Sequence, residues 1–169
     1  MPDALMVIAP TVFRDEEYAE PKAILEAHGA QVTTASVAPG ECMGKLGMRA
    51  TATLSVAEAS NRQWDAVVFV GGAGARVFFD DPAAHELARH QLEPGRVLAA
   101  ICVAPSTLAR AGLLDGIKAT AFPDRESDLR AHGALWTGEP ITVDGAIVTA
   151  NGPEAATEFG EAVARALGI

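Results

Sequence analysis

Short apolar segments alternate with segments of helical periodicity along this chain, and this alternation restricts the fold more than any other feature. The clearest apolar segments are residues 4–9, 65–70 and 97–101, each too short for a typical helix and nearly free of polar residues. Strands of a parallel sheet have this character because helices cover both of their faces. We therefore predict an α/β fold with a mainly parallel sheet and helices on both faces, formed by residues 1–169 as a single domain.

The remaining elements fit the same plan. Helical periodicity, with Gly or Pro near the ends, predicts helices over residues 15–28, 55–63, 82–92, 105–113, 125–131 and 153–167. Apolar and β-branched runs predict further strands over residues 31–37 and 118–122 and hairpins over residues 39–53 and 141–149. Asp144 and Gly145 are typical of the tight turn in the second hairpin.

The chain is acidic, with 22 aspartates and glutamates against 13 lysines and arginines and a net charge of −9. Such a surface argues against non-specific binding to nucleic acid or to an anionic membrane. No apolar run approaches the roughly 18 residues of a membrane-spanning helix, and the first residues do not resemble a signal peptide. We therefore predict a cytoplasmic protein.

Ligands of parallel α/β sheets bind at the carboxyl ends of the strands. Cys102 lies at such an end, directly after the strand 97–101, and Pro105 opens the next predicted helix. A residue at a sharp strand-to-helix turn projects away from the sheet, as in a nucleophile elbow. The helix N-terminus favours a thiolate, which predicts a lowered pKa for Cys102. A buried structural cysteine fits the position equally well.

Two further loops are predicted at the same edge. Gly71 and Gly72 follow the strand 65–70, and their backbone N–H groups are candidate oxyanion donors, although an ordinary loop start is the alternative. Asp15, Glu16 and Glu17 follow the first strand, where acidic residues are also common in a first helical turn. One of these carboxyl groups could stay protonated beside the sulfur and donate a hydrogen bond to it.

The chain has two cysteines, Cys42 and Cys102, whose spacing matches no zinc site and no C-x-x-C motif. We expect two free thiols, with Cys42 as a structural or exposed residue of the hairpin 39–53. The glycines of residues 71–76 lack the spacing of a dinucleotide-binding loop. The sequence therefore predicts no metal and no cofactor.

Five motifs occur in register along the chain. They are F-R-D-E-E-Y-A-E-P-K at 13–22, D-A-V-V-F-V-G-G at 65–72, A-A-I-C-V-A-P at 99–105, K-A-T-A-F-P at 118–123 and V-D-G-A-I-V-T-A-N-G-P at 143–153. Together they resemble the ThiJ/PfpI superfamily of class I glutamine amidotransferase-like proteins, which includes a Parkinsonism-linked deglycase, glyoxalase III enzymes and intracellular proteases. The resemblance covers nearly the whole chain and implies a flavodoxin-like three-layer sandwich.

The resemblance also implies roles for particular residues. Cys102 matches the nucleophilic cysteine of the family, and Glu17, four residues before Pro21, matches its acidic partner. The backbone N–H groups of Gly72 and Val103 match the oxyanion donors. We keep Gly71, Asp124 and Glu16 as further candidate site residues.

Two positions depart from the family pattern. Val103 follows the cysteine where the proteases have a histidine, and Phe122 precedes Pro123 where other members have one. The four histidines of the chain, His28, His85, His90 and His132, lie on or beside predicted helices, and we expect them to be exposed. No Cys–His pair is therefore predicted, which disfavours peptide-bond hydrolysis because the leaving amine needs a proton donor.

The resemblance implies an enzyme of the glyoxalase III and deglycase type, in which Cys102 adds to a small reactive carbonyl compound and Glu17 relays protons. A redox-sensing or stress-protective protein that uses oxidation of Cys102 without turnover is the first alternative. An intracellular cysteine protease or amidase is a weaker one. We also predict a homodimer, because we expect apolar side chains such as Phe78 and Phe79 to be exposed, because of the hairpin 39–53, and because the resemblance implies one.

Overall fold

The computed structural model describes residues 1–169 as twelve strands and six α-helices. The strands are β1 (Asp3–Val7), β2 (Thr11–Phe13), β3 (Gln31–Ser36), β4 (Gly40–Gly44), β5 (Arg49–Ala52), β6 (Leu54–Ser55), β7 (Ala66–Phe69), β8 (Val97–Ile101), β9 (Lys118–Ala119), β10 (Leu135–Trp136), β11 (Ile141–Asp144) and β12 (Ile147–Ala150). The helices are α1 (Asp15–Ala27), α2 (Val56–Ala59), α3 (Pro82–His90), α4 (Pro105–Arg110), α5 (Glu126–Ala131) and α6 (Ala156–Leu167).

Seven strands form the central sheet, in the order β11-β12-β8-β7-β1-β3-β6. Every neighbouring pair is parallel except the β11–β12 hairpin, whose turn is the predicted Asp144–Gly145 pair. Helices α1 and α6 pack against each other, while α2, α3, α4 and α5 contact one another in sequence as the other layer. The predicted fold class, a mainly parallel sheet between two helical layers, is confirmed.

The middle strands position the site. Strands β7 and β8 are buried along their whole length, and β8 lies between β7 and β12. Residues 97–101 can occupy this place because they are all apolar and two of them are alanines, which leave room for close helix packing. The residue after β8 is therefore held at the centre of the carboxyl edge of the sheet.

Several predicted elements are shorter than expected. The strand predicted over 118–122 is limited to β9, which pairs with β10 outside the central sheet. Its continuation turns towards the site, because the Phe122 N–H donates to the Cys102 carbonyl over 2.8 Å. The helix predicted over 55–63 is limited to α2, and the Trp64 indole N–H donates to the Ala59 carbonyl just beyond its end.

Several features were not predicted, among them the pairing of β2 with β4 in a separate three-stranded sheet and a 3-10 helix over residues 73–78. The expectation of exposed rings at Phe78 and Phe79 is wrong, since both side chains are buried. Phe79 lies beneath three arginine guanidinium groups, which cover its ring. The homodimer stays a prediction, which now rests on the hairpin and on the family resemblance. No helix has the length and apolar character that crossing a membrane requires.

Candidate active site

Cys102 occupies a strained turn between β8 and α4. Its φ of +64° lies in the left-handed region, which is uncommon for a residue with a side chain and costs on the order of 1–3 kcal/mol. Backbone hydrogen bonds hold the turn: Cys102 N–H donates to the Ala150 carbonyl over 2.9 Å, and its own carbonyl accepts from Phe122. The fold therefore enforces the elbow that the sequence predicted at this residue.

Gly71 and Gly72 let the neighbouring loop approach this turn. A Cβ at Gly71 would overlap Glu17 Oε1 and lie 2.6 Å from Cys102 Cβ, so only glycine leaves these two side chains in contact range. Gly72 has a φ of +101°, and a Cβ there would lie 2.5 Å from the Val12 carbonyl oxygen and the Arg14 nitrogen. The Gly–Gly pair is thus needed for both space and backbone conformation.

The three successive carboxylates at the start of α1 have three different surroundings. Asp15 accepts the Leu46 and Met48 N–H groups over 3.0 and 2.9 Å and so anchors the turn of the β4–β5 hairpin. Glu16 forms an ion pair of 2.8 Å with Arg14. Glu17 alone is fully buried and points to the cysteine.

Burial determines the protonation of Glu17. Neither of its carboxyl oxygens has a hydrogen-bond partner of standard geometry, and its polar neighbours are the Cys102 thiol and the Gly71 N–H. Burial raises the pKa of Glu17 to about 8, against smaller lowering effects of Cys102 and the Arg14 charge. Glu17 therefore holds a proton at neutral pH, as expected of a carboxyl group beside the sulfur.

The expectation of a lowered pKa for Cys102 is wrong. Burial raises the pKa of the thiol to about 12, and the negative charge of Glu17 adds to the rise. The Gly72 and Val103 N–H groups act on the sulfur in the opposite direction but do not outweigh burial. The sequence could not reveal this because desolvation depends on the tertiary packing around the turn. The expected lowering relied on the N-terminus of α4, but this helix has only six residues, and its N-terminus does not offset the desolvation.

The Glu17 charge contributes to the rise only when Glu17 is ionised. The two groups therefore titrate as a pair, and the first proton leaves the pair near the pKa of Glu17, about 8. The remaining proton can lie on either the carboxyl group or the sulfur. With the proton on Glu17, the sulfur is a thiolate that faces two N–H donors.

A cleft of about 280 Å³ opens above this pair. It is lined by Val12, Arg14, Glu17, Lys45, Gly72, Ala73, Arg76, Cys102, Val103, Phe122, Asp124 and Pro153. Its size is near the lower limit for ligand sites, which suits a small molecule. Cys102 is 8% exposed, so its sulfur has limited access from the cleft.

Of the other candidate residues that the sequence predicted, some line the cleft and some do not. Asp124 lines the cleft, with its carboxylate 3.2 Å from Arg125 Nε, whereas Glu16 does not line it. Val103 and Phe122 both line the cleft, so an aliphatic and an aromatic side chain stand at the two positions where the family resemblance implied histidines.

No histidine lines the cleft. Three of the four are exposed as expected, but His85 is half-buried, and its Nε2 lies 2.7 Å from the Phe79 carbonyl oxygen. Cys42 is buried in β4, with its sulfur 3.8 Å from the Gly40 carbonyl oxygen. No group of three or more His, Cys, Asp and Glu side chains is placed to hold a metal ion.

Sequence reasoning missed the basic residues of the cleft, Arg14, Lys45 and Arg76. Arg14 and Arg76 lie in two of the loops that the strand ends predicted, so their position was available as a signal. Lys45 reaches the cleft only because Asp15 fixes the hairpin turn, and the Lys45 N–H donates to the Phe13 carbonyl over 2.8 Å. That contact between distant loops has no local signature.

The fold and the site together define a class: a parallel α/β sandwich with a cysteine at the strand-to-helix elbow and a carboxyl group beside it. A comparison with known proteins identifies the family within this class. The model of the DJ-1/PfpI family matches residues 3–166, and the chain belongs to that family.

Individual relatives agree with this assignment. An uncharacterized protein of Methanocaldococcus jannaschii is 39% identical over 96% of this chain and 81% of its own length. The deglycase PfpI of Pyrococcus furiosus is 31% identical over 88% of this chain and 90% of its own. The crystal structure of a ThiJ/PfpI domain protein from Brachyspira murdochii superposes with a TM-score of 0.93 at 36% identity, covering 98% and 96% of the two chains.

Proposed function

We propose that this protein is a cofactor-independent cysteine enzyme that acts on small reactive carbonyl compounds, as glyoxalase III and deglycase enzymes do. The observation that carries the proposal is the convergence of the Cys102 sulfur, the protonated Glu17 carboxyl and the Gly72 and Val103 N–H groups on one small cleft. The deglycase names of relatives at 31% identity support the same reaction class.

The reaction begins when the pair has lost one proton. The sulfur of Cys102 attacks the carbonyl carbon, a C–S bond forms, and the electron pair of the C=O double bond moves to oxygen. The Gly72 and Val103 N–H groups stabilise that oxyanion. The proton of Glu17 then moves to the oxygen, which gives a hemithioacetal and leaves Glu17 as a carboxylate.

The Glu17 carboxylate then serves as the base. With a 2-oxoaldehyde bound, it removes the hydrogen of the former aldehyde carbon as a proton, and the electron pair of that C–H bond forms a C=C double bond while the neighbouring carbonyl oxygen becomes negatively charged. The hydroxyl proton of the hemithioacetal passes to that oxygen, and Glu17 returns its proton to the adjacent carbon. The product is a thioester of a 2-hydroxy acid. Water cleaves this thioester, so that the net reaction adds one water to the substrate and restores the thiol. No oxidant, metal or cofactor is consumed.

Methylglyoxal consumption and lactate formation test the proposal directly. We expect turnover by the wild type at a rate above that of an equal concentration of a free thiol such as N-acetylcysteine. Cys102→Ser should abolish this turnover, whereas Cys42→Ser should retain it. Equal rates for the wild type and Cys102→Ser would contradict the proposal.

A second candidate function rests on the same sulfur. Oxidation of Cys102 by two equivalents of hydrogen peroxide would give a sulfinate and two waters, and the Glu17 proton could donate to a sulfinate oxygen. Uptake of two oxygen atoms at Cys102, seen by mass spectrometry without turnover of any aldehyde, would favour this function. A protease or amidase is less favoured because no histidine lines the cleft.

A further inference from the structure

The cleft around Cys102 is basic, although the whole chain has a net charge of −9. Three cations line it, Arg14, Lys45 and Arg76. Of the two acidic lining residues, Glu17 keeps its proton below a pKa of about 8, and Asp124 is already paired with an arginine. At neutral pH the lining therefore carries an excess of positive charge.

The three cations differ in whether their charge is already balanced. Arg14 pairs with Glu16 over 2.8 Å, and both side chains are 29% exposed. Lys45 and Arg76 have no carboxylate within 4.0 Å. The positive charges of Lys45 and Arg76 therefore have no carboxylate partner in the cleft around Cys102, although the chain as a whole has an excess of acidic residues.

The backbone fixes both unpaired cations at the cleft. Lys45 lies in the hairpin turn that Asp15 anchors through the Leu46 N–H. Arg76 lies on the 3-10 helix that follows Gly72, and its guanidinium packs 5.9 Å above the centre of the Phe79 ring. The two side chains come from loops that are distant in sequence, so their meeting at one cleft is a property of the tertiary structure.

We infer that the substrate is a small carbonyl compound that carries an anionic group, a carboxylate or a phosphate, and that Lys45 and Arg76 bind this group. The inference rests on the proposed function and narrows its substrate class. A local positive field in an acidic protein attracts anions to the site and repels cations from it. The apolar side chains of Val12, Val103 and Phe122 would cover the short carbon skeleton between the two ends.

Alkylation of Cys102 by a matched pair of reagents tests the charge preference without requiring turnover. Iodoacetate and iodoacetamide are nearly the same size, but only iodoacetate is negatively charged. The ratio of their rates at Cys102 cancels the thiolate fraction, and the same ratio for 2-mercaptoethanol, a thiol with no other charged group, supplies the reference. We expect the protein ratio to exceed the reference by about tenfold at low ionic strength.

Two double variants separate the cleft from the overall charge. Lys45→Gln with Arg76→Gln should return the ratio to within about twofold of the reference. Arg49→Gln with Arg130→Gln removes the same charge from exposed side chains outside the cleft and should leave the ratio unchanged. Arg76→Lys should retain most of the preference because it keeps the charge. A wild-type ratio at the reference value, or no change in the first double variant, would overturn the inference.

Glyoxylate tests whether the anion site and the carbonyl-binding site act on the same molecule. It is an aldehyde with a carboxylate, and its hemithioacetal with Cys102 should protect the sulfur from iodoacetamide. We expect protection at a lower concentration in the wild type than in the Lys45→Gln, Arg76→Gln variant. Equal protection would contradict the inference, whereas methylglyoxal turnover would still support the proposed function. An iodoacetate preference without protection by glyoxylate or turnover of methylglyoxal would overturn the carbonyl assignment.

Discussion

The two cysteines of this protein are both buried, but they differ in backbone conformation and in the polar groups around the sulfur. Cys42 lies within a regular strand of the hairpin, 1% exposed, with its sulfur against one carbonyl oxygen. Cys102 lies in a left-handed turn, 8% exposed, with two N–H donors and a buried carboxyl group beside its sulfur. Burial alone therefore does not distinguish the two thiols. Backbone strain and the polar neighbours do.

The sharpest test of this comparison is the relative reactivity of the two thiols. Iodoacetamide should modify Cys102 in the folded protein at least roughly a hundredfold faster than Cys42, because Cys42 becomes accessible only through local opening of the hairpin. Mass spectrometry of peptides over a time course measures both rates in one sample. In urea the two rates should become similar. Similar alkylation rates of Cys102 and Cys42 in the native protein would contradict the difference that we infer between the two thiols.

Gly71→Ala tests the packing that brings the carboxyl group to the sulfur. The added Cβ would overlap Glu17 Oε1 and crowd Cys102 Cβ, so we expect a loss of stability of roughly 2–3 kcal/mol and a tenfold or larger fall in Cys102 alkylation. Gly95→Ala controls for the backbone cost alone: a Cβ there meets no atom within 4 Å, but the φ of +85° is unfavourable for alanine, so the variant should lose about 1 kcal/mol of stability. It should leave the alkylation rate of Cys102 unchanged. Urea denaturation and alkylation kinetics report the two effects.

The raised pKa of Glu17 predicts a particular dependence of stability on pH. Below the ordinary pKa of 4.5, both the folded and the unfolded state hold the proton. Between 4.5 and about 8 the folded state binds more protons than the unfolded state, so stability falls as pH rises through this window. Glu17→Gln removes this dependence. The variant should gain roughly 2–4 kcal/mol on the wild type between pH 5 and pH 8.

Urea denaturation of both proteins at several pH values measures that difference, and taking the difference cancels the other titrating groups. Asp15→Asn is a useful contrast because Asp15 is also a carboxylate at the start of α1 but anchors the hairpin. It should lower stability rather than raise it. A constant stability difference between Glu17→Gln and the wild type would show that Glu17 is ionised in the folded state at neutral pH.

The sequence-based predictions are correct where a feature depends on residues that are close together in the sequence. The α/β alternation and the elbow at Cys102 depend on short segments, and both are correct in the structure. Glu17 could be separated from Asp15 and Glu16 only through the family resemblance, because helical phase at the start of α1 is not visible in three consecutive acidic residues. The Cys102–Glu17 pair could therefore be named from the sequence, but the pKa values of its two groups could not.

The failures come from contacts between distant segments. The pKa of Cys102 rises because the site is desolvated by loops from several parts of the chain. Phe79 was expected at the surface, but three arginines cover its ring. Lys45 reaches the cleft through a hairpin that a carboxylate some 30 residues earlier in the chain holds in place. Periodicity and spacing carry no information on such contacts.

The central claim is that Cys102 and Glu17 titrate as one pair, and the rate of Cys102 alkylation by iodoacetamide as a function of pH tests it most directly. The wild type should show a first inflection near pH 8, where the pair loses its first proton. Glu17→Gln should lack that inflection and rise only at higher pH, since its buried thiol then titrates alone. Superimposable profiles for the two proteins would contradict the account.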